Sequence, residues 1–269
     1  MPTLEENRIT WETYEWPQGG DEWSWEWGGV AAQWYGSLLP RIHRWVPAGT
    51  ILEIAPGFGR WTQFLKDLGR ELVVVDLSER CIDACRERFA DAHNISYHVN
   101  DGRTLGMVAD RSVDLAVSFD SLVHVEADVI ESYLAELSRT LAPSGVGYIQ
   151  HSNLGCYLEE LRWGRRLQRR PWVPSRLQER LERSGRTTRN LHMRAQSVTA
   201  ELVADLCEKV GLRCIGQELI NWGGPILNDC FSAVTPVGSR WGEDHRVLRN
   251  REFMAEVAGI SRREHLYRT

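Results

Sequence analysis

The stretch Ile51–Arg60, ILEIAPGFGR, constrains the chain most. A short apolar run stops at a glycine-rich turn, and WTQFLKDL then resumes at helical spacing. A strand running through such a turn into a helix lets a ligand approach the backbone N–H groups at the helix N-terminus. Taken alone, the turn is equally the tight strand-to-helix connection that many α/β proteins build with glycine. No Gly-Lys-Ser/Thr follows it, so a triphosphate-binding loop is excluded.

The pattern downstream extends the reading. ELVVVDL is a second buried strand, SERCIDACRERFA a helix, ISYHVND a third strand and VDLAVSFD a fourth. ADVIESYLAELSRTLA is a long amphipathic helix closed by Pro143-Ser144-Gly145, and VGYIQHSN is a fifth strand. Strands alternating with helices predict a doubly wound, mostly parallel α/β sheet. SVTAELVADLCEKVGL is a further helix. LRCIGQELI and CFSAVTPV, joined only by a turn region at NWGGP, predict an antiparallel pair that completes seven strands. The expected layout is an aromatic N-terminal arm and helix (1–46), a ligand-binding core (47–156), an arginine-rich helical lid insertion (157–196), the end of the core sheet (197–237) and a polar tail (238–269) carrying a short helix near 251–259.

Composition narrows the partners. A net charge of −5 gives no global footprint for nucleic acid. No apolar run approaches the length of a membrane helix, and the first residues lack a basic start and apolar core, so a cytoplasmic protein is expected. The six cysteines are dispersed and read as reduced packing thiols. Asp120 and Glu126 lack an evident third ligand, so no metal is expected.

Two acids follow strand ends. Asp76 lies 17 residues after Gly59, where a carboxylate can accept both hydroxyls of a ribose. Asp101-Gly102 follows the third strand, where a side chain can reach a base edge. Glycine turn, Asp76 and Asp101 thus stand at the carboxyl ends of successive strands, which is where open α/β sheets bind ligands.

LEIAPGFGR, VVVDLS, VNDG, VDLAVSFDSLVH and LAPSGVGYI together resemble successive motifs of class I S-adenosylmethionine-dependent methyltransferases, over roughly residues 45–155 and 197–236. The resemblance departs at the first loop glycine, which is Ala55 here. It implies a Rossmann-like sheet and S-adenosylmethionine as cofactor. It also implies that Glu53, Ala55, Gly57 and Gly59 shape the methionine end, Asp76 and Leu77 hold the ribose, Asp101 and Gly102 the adenine, and Phe119 and Asp120 border the site. A dinucleotide oxidoreductase is disfavoured, because GFGRWT lacks the third glycine of that fingerprint.

The loop SFDSLVHVEADV then faces the transferring methyl, and His124 is the candidate base for a hydroxyl nucleophile. The alternative for His124 is packing at a helix start, with Asp128 as the helix N-cap. His151, with Asn153, is the second candidate beside the acceptor; the alternative for His151 is a hydrogen-bonded histidine at the strand end. The lid segment 161–196 carries eleven arginines against Glu179 and Glu182. Either these form a solvated face, or some, with Arg165 and Arg169 first, grip an oxyanion on the acceptor. Trp25 and Trp27 of the WEWGG arm share a face if that piece is extended; the arm either staples the N-terminus onto the domain, or covers the cofactor or stacks on a sugar acceptor. That arm, followed by EIAPGFGRW, resembles bacterial sugar O-methyltransferases of secondary metabolism. The expected reaction is therefore methyl transfer to a hydroxyl of a small molecule, foremost a sugar in natural-product biosynthesis. A non-sugar natural product acceptor, or an inactive cofactor-binding partner subunit, is the alternative. The expected partner is a small-molecule acceptor, anionic if the arginines hold it. Neither membrane nor nucleic acid is expected, and a homo-oligomer is left open.

Overall fold

The computed structural model describes residues 3–161, 193–242 and 244–267. Eight strands form one sheet in the order β3-β2-β1-β4-β5-β7-β6-β8. The five strands from the β3 edge inward are β1 (Ala48–Ile54), β2 (Gly69–Asp76), β3 (Ile95–Val99), β4 (Val113–Ser118) and β5 (Leu141–Ser152), all parallel. β6 (Leu212–Ile220) and β7 (Asp229–Pro236) are the expected antiparallel pair, and β7 also runs antiparallel to β5. Chain order reverses at β1, between β2 and β4, which makes the carboxyl ends of those strands the crevice for a ligand.

Sequence dictates both faces of this sheet. Within β2, Leu72 and Val74 pack on one side and Val75 on the other, as the period of two requires. One face is covered by α6 (Ala127–Thr140) and α7 (Ala200–Lys209). In α6, Val129, Ile130, Tyr133, Leu134 and Leu137 recur at helical spacing and are buried. Ser78 caps α5 (Glu79–Arg88) by accepting from Cys81 N–H, and Thr199 caps α7 by accepting from Leu202 N–H.

The opposite face is covered by chain termini. Helical segments over Val30–Trp45 include a π turn at Trp34–Leu38 and pass through Pro40, which sits in the first turn of its short helix, where its missing N–H costs nothing. Against them lies the C-terminal helix α8 (Phe253–Tyr267), burying Phe253, Val257 and Ile260. This corrects two expectations. The tail is no loose end: Arg246–Asn250 adds an eighth strand, β8, parallel to β6, and α8 runs well beyond the short helix expected there. β8 reads RVLRN and is largely exposed at the sheet edge, so it carries neither an apolar run nor the alternation of a half-buried strand. The N-cap of α6 is Glu126, not Asp128, which lies in the first turn and pairs with Arg103.

The arm begins with α1 (Leu4–Thr13), closed at its start by a Thr3/Glu6 capping box. Residues Asp21–Trp27 then form a 3-10 helix rather than extended chain. Trp25 and Trp27 consequently point apart: Trp27 is buried against Trp222 and Phe253, whereas Trp25 is 70 % exposed. Arginines of α5 strap the arm down. Arg80 donates to the Glu12 and Tyr14 carbonyls, and Arg88 donates to the Gly19 and Phe58 carbonyls and pairs with Asp21. Of the arginine-rich lid, residues 162–192, including Arg165 and Arg169, lie outside the described residues. All six cysteines are free thiols.

Candidate functional site

A cavity opens at the carboxyl ends of β1, β2 and β4 and is roofed by the arm. Its floor starts at the glycine turn. Ala55 and Gly57 both have positive φ, 58° and 59°. Glycine would be at ease at residue 55, and alanine there carries roughly 1–2 kcal/mol of strain. The Ala55 carbonyl accepts from the Ser121 hydroxyl at 2.8 Å, which ties the turn to the loop after β4.

Asp76 closes β2 beside this turn. Its carboxylate accepts the Gly57 N–H at 3.2 Å and the Ser78 N–H at 2.9 Å, and it lines the cavity while almost wholly buried. Burial pushes its pKa up to about 6, against the opposing N–H bonds from Ser78 and Gly57. Leu77 and Gly102 line the same end, and a Cβ on Gly102 would meet Leu4 at 3.1 Å and Leu77 at 3.3 Å.

Three residues of this group stand back from the cavity. Glu53 lies behind the turn, fully buried, accepting from the Thr62 hydroxyl at 2.6 Å, and burial raises its pKa to about 8. Gly59 is packed from behind: a Cβ there would meet the Phe89 ring at 2.5 Å. Asp101 spends Oδ1 on the N–H groups of Arg103 and Thr104 and on the Thr104 hydroxyl, organising its own loop.

The other end of the cavity is assembled after β4. Phe119, Asp120, Ser121 and His124 all line it. Asp120 holds a left-handed backbone, φ 60°, with its N–H donated to Gln150 Oε1 at 3.0 Å. Its Oδ2 accepts from Arg60 Nη2 at 2.9 Å, and its Oδ1 lies 4.0 Å from Arg194. Arg194 in turn donates to both oxygens of Asp229, at 2.7 and 2.8 Å, and Gln150 Nε2 donates to Asp229 at 3.0 Å. Arg60, Asp120, Arg194, Asp229 and Gln150 thus form one buried network from the glycine turn to the first residue of β7.

His124 sits in the short 3-10 turn Leu122–His124, 6 % exposed. Its ring lies 5.5 Å from that of Trp11, and its Nδ1 lies 3.4 Å from the Met193 carbonyl. Burial first, then the Arg194 charge, lower its pKa to about 4, so the ring is neutral at pH 7. No hydrogen-bond partner for Nε2 lies among the described residues.

Two expected acceptor contacts are not at the cavity. His151 is fully buried within β5, with its ring nitrogens on the Ser152 carbonyl and the Ser232 hydroxyl, 2.9 and 2.7 Å away. Asn153 bonds the Leu227 carbonyl and the Ala200 N–H. His151 thus ties β5 to β7, and Asn153 ties the end of β5 to the first residue of α7. Nor do Trp25 and Trp27 line the cavity; Trp11, Trp16 and Trp23 do, with Trp61 and Trp222. Trp16 stacks on Phe58 at 4.6 Å. The tryptophan count announced an aromatic surface, but which rings face inward depends on α1 and the 3-10 turn. Arg60, directly after the glycine turn, was visible in the motif yet carried no assignment.

Residues 51–145 match the family model of a methyltransferase domain. The structure also resembles solved proteins throughout most of its length. One is the PH0226 protein of Pyrococcus horikoshii, 23 % identical, covering 77 % of this chain and 93 % of that one, with a TM-score of 0.53. A second is the protein of a DhpI–SAM–HEP complex, 17 % identical, covering 87 % and 95 %, TM-score 0.52. A third is found in a complex between the Haloferax volcanii Trm112 methyltransferase activator and a putative methyltransferase, 17 % identical, covering 80 % and 96 %, TM-score 0.51. No curated protein sequence is detectably similar.

Residues 51–145 are a methyltransferase domain. Its cofactor is S-adenosylmethionine, and the methyltransferase has the Rossmann-like fold of that class. The residues present fit the cofactor: a buried carboxylate set in backbone N–H groups at the end of β2, and a Gly57/Gly102 floor that side chains would fill. Among the described residues, no helix is long and apolar enough to cross a membrane.

Proposed function

We propose that this methyltransferase moves a methyl group to a hydroxyl of a small molecule, with a sugar or sugar-bearing natural product as the acceptor class. The observation that carries the reading is His124, a neutral buried imidazole on the loop after β4, inside the cavity that Asp76 also lines. The cofactor supplies an already activated methyl group. What the chain must add is position and removal of one proton.

Asp76 accepts the ribose hydroxyls, with Gly57 and Leu77 beneath the adenosyl group and Gly102 beside its base. The Met193 carbonyl takes the Nδ1 proton of His124, which leaves Nε2 as the lone pair that receives the acceptor's hydroxyl proton. Trp11, beside that ring, excludes water from it and offers a flat apolar wall to the C–H face of a sugar.

Substituting His124→Ala tests the reading. Turnover with a hydroxyl acceptor drawn from a panel of sugars and natural products should fall by ~10²–10⁴, the usual effect of losing a general base. S-adenosylhomocysteine affinity, measured by calorimetry, should stay within a few-fold. Unchanged turnover in a folded variant would remove His124 from the reaction.

A further inference from the structure

Hydrogen-bond accounting in the cavity leaves two donors over. Arg60 is 6 % exposed and lines the cavity. Its Nη2 serves Asp120, but its Nη1 is buried without a hydrogen-bond partner among the described residues. The adjacent residue repeats the pattern: Trp61 is 3 % exposed, lines the cavity, and its Nε1 is likewise buried and unpartnered. Arg60 lies over the Trp61 ring, 4.4 Å from its centroid, so the two donors belong to one packed unit. An unpartnered buried N–H costs about 1–3 kcal/mol, more for a charged group. Two such donors side by side, both on cavity-lining residues, offer an acceptor a ready place to bind.

Charge says what kind of acceptor. The groups around this unit are Arg60 and Arg194 against Asp120 and Asp229, and both oxygens of Asp229 are already committed to Arg194. Among the described residues, these two cations and two anions balance one another. A sulfonium cofactor adds positive charge beside them, which favours an anion as the next occupant. Place says which molecule bears it. Asp76, Leu77 and Gly102 stand at the ends of β2 and β3, whereas the Arg60 network runs the other way from β1, through Asp120 after β4, to Asp229 on β7. That is the side of His124, where the acceptor hydroxyl must lie.

We infer that Arg60 Nη1 and Trp61 Nε1 form an oxyanion subsite for a carboxylate-class group on the acceptor, so that the substrate is an anionic hydroxyl compound. This rests on the methyl-transfer reading and narrows its substrate. The cofactor's own amino-acid carboxylate offers the same chemistry, and the experiment separates the two.

The probes are benzoate and benzyl alcohol, a matched anion and neutral for the aromatic walls, titrated by calorimetry into protein saturated with S-adenosylhomocysteine. Wild type should prefer benzoate by about tenfold or more, and R60Q should erase that preference, since a guanidinium–carboxylate contact is among the stronger hydrogen bonds. W61F, which deletes one N–H and keeps the ring, should weaken benzoate roughly threefold, the size of one ordinary hydrogen bond. S-adenosylhomocysteine affinity should move by less than about threefold in both variants, because neither side chain contacts the adenosyl end. If R60Q melts below wild type, R60K, which retains the charge but not the planar fork, reads the same preference.

Two results overturn the inference. In the first, R60Q weakens S-adenosylhomocysteine about tenfold while 5′-methylthioadenosine, which lacks the amino-acid part, binds as before; the oxyanion is then the cofactor's. In the second, wild type binds benzoate no better than benzyl alcohol. Benzoate binding does not depend on a base, so a failure of the His124 assignment would show in turnover and leave this measurement intact.

Discussion

The two ends of the cavity are built by different means. At the Asp76 end, the carboxylate meets the N–H of Gly57, 19 residues away, and that of Ser78, two residues on. Strand ends, tight turns and backbone groups position it. At the Asp120 end, Arg60 reaches Asp120 across 60 residues, and Gln150 reaches Asp229 across 79. Side chains alone make those links, and each is fixed only by its partner. The Asp76 end is therefore a property of the βαβ unit, whereas the Asp120 end depends on how β7 and the segment around Arg194 dock on that unit. The first can stay the same while the second is rebuilt for another acceptor.

The contrast is open to direct attack. The largest effect is expected from Asp229→Ala. This leaves the Arg194 guanidinium buried without its bidentate partner, and removing one member of a buried ion pair typically costs about 3–5 kcal/mol. Chemical denaturation should show that loss. If the two ends are independent, S-adenosylhomocysteine affinity in the folded variant should barely change; a collapse of both together would break the comparison.

Asp76 probes the other end. Charge-assisted bonds to ribose hydroxyls contribute about 1.5–3 kcal/mol each, so Asp76→Ala should weaken S-adenosylhomocysteine by at least about tenfold. Its pKa also sets a sign. With a folded value of about 6 against an ordinary 3.8, the protein without cofactor binds more protons here than the unfolded chain. This group's contribution to stability is present below pH 3.8 and is lost as pH rises through about 6. Cofactor affinity runs opposite, since the ionised carboxylate is the acceptor, and should rise through pH 6 and then level. His124, at about 4, is already neutral around pH 6, so the limb of affinity and of turnover near pH 6 should follow Asp76. A limb in turnover near pH 4 alone would show that Asp76 is ionised before the cofactor arrives.

The smallest effect belongs to Trp25→Ala. This ring is 70 % exposed and touches neither end of the cavity. Stability should stay within about 0.5 kcal/mol of wild type, as for most surface substitutions. A large loss of acceptor binding would restore the aromatic arm as a sugar platform.

Legibility followed the same division. LEIAPGFGR, the acid after VVV and the glycine after VND announced the fold and the Asp76 end of the cavity, because each is a local pattern whose spacing the strand–turn–helix unit imposes. The loop after the fourth strand lines the cavity and carries His124 there, since that loop has one destination in such a sheet. His151 and Asn153 stand at the expected strand end, but their side chains are bonded away from the cavity. Which way a side chain points at a strand terminus depends on register, and the β5–β7 pairing sets it. β8 escaped notice because an exposed, charged edge strand carries little apolar signal.

Read alone, the sequence determined a doubly wound sheet, a glycine turn feeding a helix and an acid at the next strand end, since these follow from hydrophobic period and backbone sterics within some 25 residues. Tertiary structure alone decided which of the many arginines and tryptophans matter. Arg60, Asp120, Arg194 and Asp229 carry no mutual spacing rule; they meet because β7 inserts antiparallel beside β5 and delivers Asp229 beneath the loop after β4. A charge buried by folding must find its counter-charge within a few ångströms, and only the packed chain specifies which one that is.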